Sequence, residues 1–183
     1  GGSSIVLDAA ARFVNNGATL SPGPGRWVIY SADPALDVFG GLASGQVPVW
    51  GATSGTLAPG LVPAGNRYVF SAGQTLTFAS TDVTKTYGDD ASAALATAWT
   101  VSGFNSNTYG GAFIADNAAS TFSGTPLLSS PGAVVTAPVA GAPYAIGIST
   151  GSLSALTGYS LAFDSAGLLY VDPRAANVIA NNG

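Results

Sequence analysis

The clearest β-strand pattern of the chain lies in the segment 76–90. Leu76 and Phe78 alternate with small or polar residues, and a period of two residues is the mark of a strand with one buried face. A polar bend follows, and a second short strand then carries Lys85, the only lysine of the chain. Short strands joined by sharp bends therefore constrain the fold more than any other feature.

The sequence Tyr87-Gly88-Asp89-Asp90 closes the second of these strands. Gly88 can adopt a positive φ, and Asp89 or Asp90 can accept a hydrogen bond from its own downstream backbone. We therefore predict a tight turn here. Because Gly/Pro-rich sequence precedes the segment and evenly spaced strands follow it, we expect one structural unit to give way to another at this point.

The composition narrows the class of protein. Hydrophobic residues make up 47% of the 183 residues and charged residues 8%, whereas about a quarter of the residues in an average globular domain are charged. Solubility must then come from Ser, Thr, Asn and Gly. This composition is typical of secreted β-rich repeat proteins, and the length suits one ordinary domain or two small ones.

Several residue types are missing. The chain has no His, Cys, Met or Glu, and all nine acidic residues are Asp. These absences exclude disulfides and metal sites built on thiol or imidazole ligands. A net charge of −4 argues against nucleic acid as a partner. We also expect no membrane insertion, since no apolar run approaches the roughly 20 residues of a spanning helix.

The first 31 residues read as short strands at 4–7, 12–14, 18–20 and 26–30. The Asn15-Asn16-Gly17 sequence between two of them predicts a turn, which can belong to a hairpin or to a corner of a parallel β-helix. The residues alone leave both open. No signal peptide opens the chain, and we interpret it as a piece of a longer precursor.

The next segment, 32–66, is rich in Gly and Pro but keeps many large apolar residues. A free linker would leave these exposed, so we predict an irregular flap that covers an apolar surface, such as the open end of a β-helix.

From Arg67 onward the strands become regular, with a short Ala-rich helix expected within 91–98. Strands are expected at 67–70, 76–80, 83–87, 97–101, 112–114, 133–139, 144–148, 159–163 and 168–171. The loop 164–167 suits a hairpin. Strands at this spacing predict a sandwich or a related all-β domain over 67–173, and we expect a fragment 67–173 to fold alone. Residues 174–183 are interpreted as a linker or as the first strand of a next repeat.

Two groups of short motifs resemble known families. The sequence 84–89, Thr-Lys-Thr-Tyr-Gly-Asp, followed by 99–104, Trp-Thr-Val-Ser-Gly-Phe, resembles the opening of MBG-type (YDG-type) repeats. Residues 143–146, 158–163 and 167–173 are similar to later motifs of that family, although Ala142-Pro143 stands where it usually has Gly-Thr. Residues 5–31, ending in Gly-Arg-Trp-Val-Ile-Tyr-Ser, resemble the end of a filamentous haemagglutinin-type β-helix.

The resemblance covers nearly the whole chain and implies a fragment of a two-partner secretion adhesin of a Gram-negative bacterium. The implied fold is all-β: the end of a parallel β-helix over 1–31, a capping flap over 32–66, and a small antiparallel β-sandwich or β-grasp-like MBG domain over 67–173. The implied location is extracellular, at the cell surface. Implied partners are neighbouring repeats, an outer-membrane secretion partner, and host-cell or matrix glycans and proteins or exopolysaccharide; biofilm formation is an implied role.

The acidic and basic residues of the 85–90 motif are interpreted as structural. Asp89 and Asp90 are neighbours on an extended segment and so point to opposite faces, which argues against a shared proton; calcium binding with Asp82 is the weaker alternative. Lys85 is interpreted as a solvated or Asp-paired strand residue, in preference to a cross-link with Asn. Lys85, Tyr87, Gly88 and Asp89 therefore form a structural motif, and no metal or cofactor is expected.

Catalysis is not expected. Serines are frequent, but the chain has no His that could activate one. Most aromatic residues of a small β domain belong to its core. Tyr109 is the best exception, because the polar loop that it shares with Asn107 can contact a partner.

Three functional hypotheses remain. The first is a non-catalytic adhesin segment that extends a stalk and mediates cell attachment or aggregation. The second is a carbohydrate-binding module that uses loop aromatics such as Tyr109. The third is a subunit of a self-assembling fibre, in which the strands 4–7 and 177–180 complete a neighbour's sheet.

Overall fold

A computed structural model describes residues 4–175 of the chain. About 30% of the residues are in strands and 10% in helices, so the predicted all-β class is confirmed. The chain divides into two compact units. The first contains residues 4–76, 103–124 and 153–161, and the second contains 77–102, 125–152 and 162–175.

The elements are short. The strands are β1 (Ile5–Asp8), β2 (Trp27–Ser31), β3 (Arg67–Phe70), β4 (Thr75–Ser80), β5 (Val83–Thr86), β6 (Trp99–Ser102), β7 (Phe122–Ser123), β8 (Leu127–Ser129), β9 (Tyr144–Ala145), β10 (Gly147–Ser149), β11 (Ser154–Ala155), β12 (Ser160–Asp164) and β13 (Leu168–Asp172). The helices are α1 (Ser92–Leu95) and α2 (Ala118–Thr121), with 3₁₀ turns at Pro34–Leu36 and Val139–Gly141. Among the described residues, none of these helices has the length and apolarity to span a membrane.

A parallel sheet in the order β1-β2-β3 organises the first unit. Ile5 pairs with Trp27, and Val28 pairs with Arg67. Every residue of β2 and β3 is buried, which is why both read as continuous strands without alternation. The edge strand β1 is largely exposed.

The hairpin alternative for the Asn15-Asn16-Gly17 turn is wrong, because residues 18–20, which follow the turn, form no strand with residues 12–14. Val14 forms a parallel bridge with Val38. The buried Asn15 side chain holds the corner, because its Nδ2 donates to the carbonyls of Ala18 (3.0 Å) and Phe39 (2.9 Å).

The Gly/Pro-rich segment is irregular, as predicted, and packs onto the sheet. Val49 and Val62 are buried in one cluster with Val28, Tyr30 and Val69. Val49 also forms a parallel bridge with Val69 on the β3 edge. The segment is therefore part of the packed first unit and is not a free linker.

Two arginines hold this segment through its backbone carbonyls. The guanidinium of Arg26 donates to Pro59 and Pro63, and that of Arg67 donates to Val47. Arg67 is buried, and burial lowers its pKa. Carbonyl groups that have no strand partner thus obtain charge-assisted hydrogen bonds.

Sheets of two and three strands organise the second unit. β13 lies between β5, to which it is parallel, and β9, to which it is antiparallel. β8 and β10 form an antiparallel pair. β4 pairs antiparallel with β6 in a sheet of order β12-β4-β6.

The predicted hairpin at 164–167 is wrong. The strand before the loop, β12, belongs to the sheet of β4, whereas β13 belongs to the sheet of β5. The backbone N–H of Gly167 donates to Ser80 Oγ (2.9 Å), and that of Leu168 donates to Asp82 Oδ1 (2.8 Å). These side chains direct the loop from one sheet to the other.

Some of the other local predictions are confirmed and others are wrong. The short helix within 91–98 and the strand after it are confirmed by α1 and β6. The predicted strands 18–20, 112–114 and 133–139 are turns or irregular segments. Residues 103–124 and 153–161 lie in the first unit, and β3 pairs with β2, so a fragment that begins at 67 would lack a buried strand of that unit. The predicted strand 177–180 lies outside the described residues.

Candidate functional site

Lys85 occupies a cage of backbone oxygens in the second unit. Its side chain is 7% exposed, and its Nζ donates to the carbonyls of Asp89 (3.1 Å), Ala133 (3.4 Å) and Val134. The ammonium has three protons, and each has a carbonyl partner. We call these four residues the lysine cage.

The predicted environment of Lys85 is therefore wrong: the residue is neither solvated nor paired with an Asp side chain. Val83 and Lys85 are the inward positions of β5, so strand alternation places the ammonium inside. The three hydrogen-bond partners are backbone carbonyls, and no asparagine amide is among them.

The turn that follows has the predicted form. Gly88 has a φ of +91°, and the N–H of Asp89 donates to the carbonyl of Thr86 (3.0 Å). Positive φ there turns the chain so that the Asp89 carbonyl reaches the ammonium. Tyr87 is 44% exposed and contributes its backbone to the turn.

Arg174 binds the same turn from the solvent side. Its Nε donates to the carbonyl of Tyr87 (2.8 Å), and its Nη2 forms a salt bridge with Asp89. Both side chains of this ion pair are more than half exposed, so its contribution to stability is small. Together, a buried and an exposed cation hold the turn.

The carboxylates of Asp90 and Asp82 accept hydrogen bonds from different backbone N–H groups. Asp90 Oδ1 accepts from the N–H of Ser92 (2.7 Å) at the start of α1, and the hydrogen bonds from Ser92 lower the pKa of Asp90. Asp82 accepts from Leu168. Within residues 4–175, no group of three or more acidic side chains is placed to hold a metal ion.

Tyr109, the predicted contact residue, lies on a strained turn of the first unit. It has a φ of +48°, and its N–H donates to Asn107 Oδ1 (2.9 Å). Its half-buried ring packs against Phe39 and Phe113, with ring centroids 6.0 and 5.7 Å away. One part of the ring therefore contacts the core and another part faces solvent.

An aromatic cluster fills the core of the first unit. It is a continuous chain of ring contacts among Phe13, Trp27, Phe39, Trp50, Tyr68, Phe70, Tyr109, Phe113 and Tyr159. Trp27 and Trp50 are each 1% exposed, so the prediction that they are core residues is confirmed.

Asp116 is a buried carboxyl group that sequence reasoning missed. Its Oδ2 accepts from Trp50 Nε1 (2.9 Å) and Tyr159 Oη (2.7 Å). Its Oδ1 is buried without a partner among the described residues. Burial raises the pKa of Asp116 despite these two donors. Asp116 lies 66 positions from Trp50 and 43 positions from Tyr159, and no sequence pattern links residues so far apart.

A cavity of about 360 Å³ opens beside Trp50 in the first unit. Its lining is mainly apolar and includes Val49, Leu57, Leu61 and Leu156. Leu61 is 74% exposed and forms part of the rim.

A groove of about 560 Å³ lies along β8 in the second unit. Its lining residues carry no charge, and they include Leu127 and Val134.

No protein-family model matches the chain, and searches of curated proteins and of solved structures return no match either.

Proposed function

We propose that the chain is a non-catalytic architectural segment of a large secreted bacterial surface adhesin. In this proposal the sheet β1-β2-β3 of the first unit ends a parallel β-helix, segment 32–66 caps it, and the second unit is an MBG-type β domain. The observation that carries the proposal is the parallel pairing of β1, β2 and β3, in which the outer edge of β1 has no partner strand within residues 4–175.

The hydrogen bonds of β1 define that edge. The N–H of Ile5 donates to Arg26 and that of Ala9 donates to Tyr30, so alternate residues of β1 face β2. The backbone groups of Val6 then face away from β2, where no described strand pairs with β1. A preceding parallel strand would satisfy these groups and cover the exposed apolar side chains of β1.

The lysine cage supports the MBG-type part of the proposal. Each residue of the Lys-x-Tyr-Gly-Asp motif has a structural task in one turn. Lys85 binds carbonyls and Gly88 supplies positive φ. Tyr87 accepts a hydrogen bond from Arg174, and Asp89 binds both cations. A motif whose residues all stabilise one turn is what we expect in a repeated module with a structural role.

Two experiments, one on the surface location of the protein and one on cell attachment, test the proposal together. Antibodies against the purified chain should label intact cells of the source bacterium, and an in-frame deletion of the encoding region should reduce attachment or aggregation. Labelling only after lysis, with unchanged attachment, would refute the proposal.

Carbohydrate binding is a second candidate, and the backbone strain at Tyr109 favours it. A non-glycine residue at positive φ costs free energy, and such residues cluster at binding sites. A glycan array should show binding that Tyr109→Ala abolishes, with Tyr170→Ala, an exposed tyrosine of the second unit, as the matched control. Absence of any glycan signal, or equal loss in both variants, removes this candidate.

Fibre assembly through strand complementation is a third candidate, and the open β1 edge favours it. Polymerisation should then depend on concentration and be lost when residues 174–183 are trimmed. A chain that stays monomeric by sedimentation at all concentrations would exclude it.

A further inference from the structure

The parallel pair of β5 and β13 has the geometry of a mechanical clamp in the second unit. Four residue pairs are in register, from Leu169 opposite Val83 to Asp172 opposite Thr86. Hydrogen bonds continue the ladder at both ends: the N–H of Leu168 donates to Asp82 Oδ1, and the N–H of Tyr87 donates to the carbonyl of Asp172.

The direction of the strands decides how tension acts on this ladder. The chain enters β5 at the amino end of that strand and leaves β13 at the carboxyl end of that strand. In a parallel pair these two ends lie at opposite ends of the ladder. Tension between them therefore pulls the strands along their own axes in opposite directions, and the rungs share the force.

Side chains fasten the end of the pair where the chain leaves β13. Arg174 lies two residues beyond β13 and binds Tyr87 and Asp89, beyond the end of β5. Lys85, in the middle of β5, is bound to the carbonyls of Ala133 and Val134. Sliding of β13 against β5 must break the first set of contacts, and withdrawal of β5 must break the second.

We propose that β5 and β13 are the force-bearing pair of this chain and that they resist tension by shear. This inference deepens the proposed function, on which its biological role rests, since a surface stalk transmits force between its ends. The mechanical geometry itself follows from the register and does not depend on where the protein is located.

Pulling the full chain from two different pairs of points tests the inference. The native sequence has no cysteine, so a double variant has two thiols for attachment. Thr81→Cys with Ala175→Cys loads β5 and β13 in shear. In the variant with Tyr87→Cys and Ala175→Cys, both thiols lie at the same end of the ladder, so that pulling separates its rungs one after another. Both variants should first show the thermal midpoint of the native chain.

The rupture force should be higher for the shear pair, by up to about fourfold, because four register pairs share the force that peeling applies to one rung at a time. A ratio of at least about twofold at equal loading rate supports the clamp. A smaller ratio, or a higher force on peeling, overturns it. That result would leave cell-surface location untouched, whereas absence from the surface would refute the proposed function and leave the rupture forces unchanged.

Discussion

Replacement of Lys85 by Met tests how the lysine cage stabilises the second unit. Methionine keeps much of the length and volume of the buried side chain but has no proton to donate. All three carbonyls then lose the ammonium, but that of Ala133 still accepts from Ala91 N (2.9 Å) and that of Val134 still accepts from Ala137 N (3.1 Å). The substitution therefore leaves one backbone oxygen, that of Asp89, in need of a partner.

The expected loss of stability follows from two opposing terms. A hydrogen bond to a charged group contributes about 1.5–3 kcal/mol, and three are lost. Removal of a buried ammonium also removes its desolvation penalty of several kcal/mol. The balance is a loss of about 2–4 kcal/mol in the free energy of unfolding. For a chain of this length, 3 kcal/mol corresponds to a fall of roughly 6–12 °C in the thermal midpoint.

Urea and thermal unfolding of the native chain, Lys85→Met and Arg174→Met provide the measurement. Arg174 is the matched control, because it binds the same turn through an exposed contact and should change stability by no more than about 1 kcal/mol. Equal effects of the two substitutions, or a Lys85→Met chain as stable as the native one, would contradict the assignment of the buried cage.

Three further outcomes are expected. In the native fold Lys85 should resist an amine-acylating reagent, and it should react only after unfolding; equal rates in both states would contradict its burial. Because burial raises the pKa of Asp116 above its ordinary value of 3.8, its stabilising contribution is complete below that value and is lost as pH rises through the folded-state pKa. Asp116→Asn should therefore gain stability relative to the native chain as the pH rises above the ordinary value of 3.8 in urea titrations, and a constant difference would argue against a raised pKa. Gly158→Ala should destabilise far more than Gly41→Ala, although their φ values are +79° and +81°, because a Cβ at 158 would lie 2.0 Å from the Trp50 carbonyl oxygen and one at 41 meets nothing within 4 Å. Gly41→Ala should cost about 1–2 kcal/mol, and similar unfolding free energies for the two variants would contradict this close contact.

Local chemistry made several features predictable. Alternation in 76–80 predicts a strand because one face must be buried, and β4 has that pattern of burial. The Gly88 turn and the hydrogen bond between Asp90 and the N–H of Ser92 depend on residues within a few positions of each other. The packing of the Gly/Pro-rich segment was predictable because large apolar side chains cannot remain in water.

Contacts between distant residues were not predictable in the same way. Lys85 was expected at the surface, since a lone lysine between threonines carries no signal that carbonyls 48 and 49 positions away will enclose it. The loop 164–167 was expected to be a hairpin, because its own residues do not reveal that Ser80 and Asp82 bind its far end.

The sequence by itself determined that this protein is built from brief strands and tight turns, because alternation, glycine and proline act over a few bonds. Only the tertiary structure decided which strands pair, where the one lysine lies, and that Asp116 joins Trp50 to Tyr159. The physical reason is that pairing and burial depend on the free energy of the whole packed unit. No short stretch of the chain contains that information.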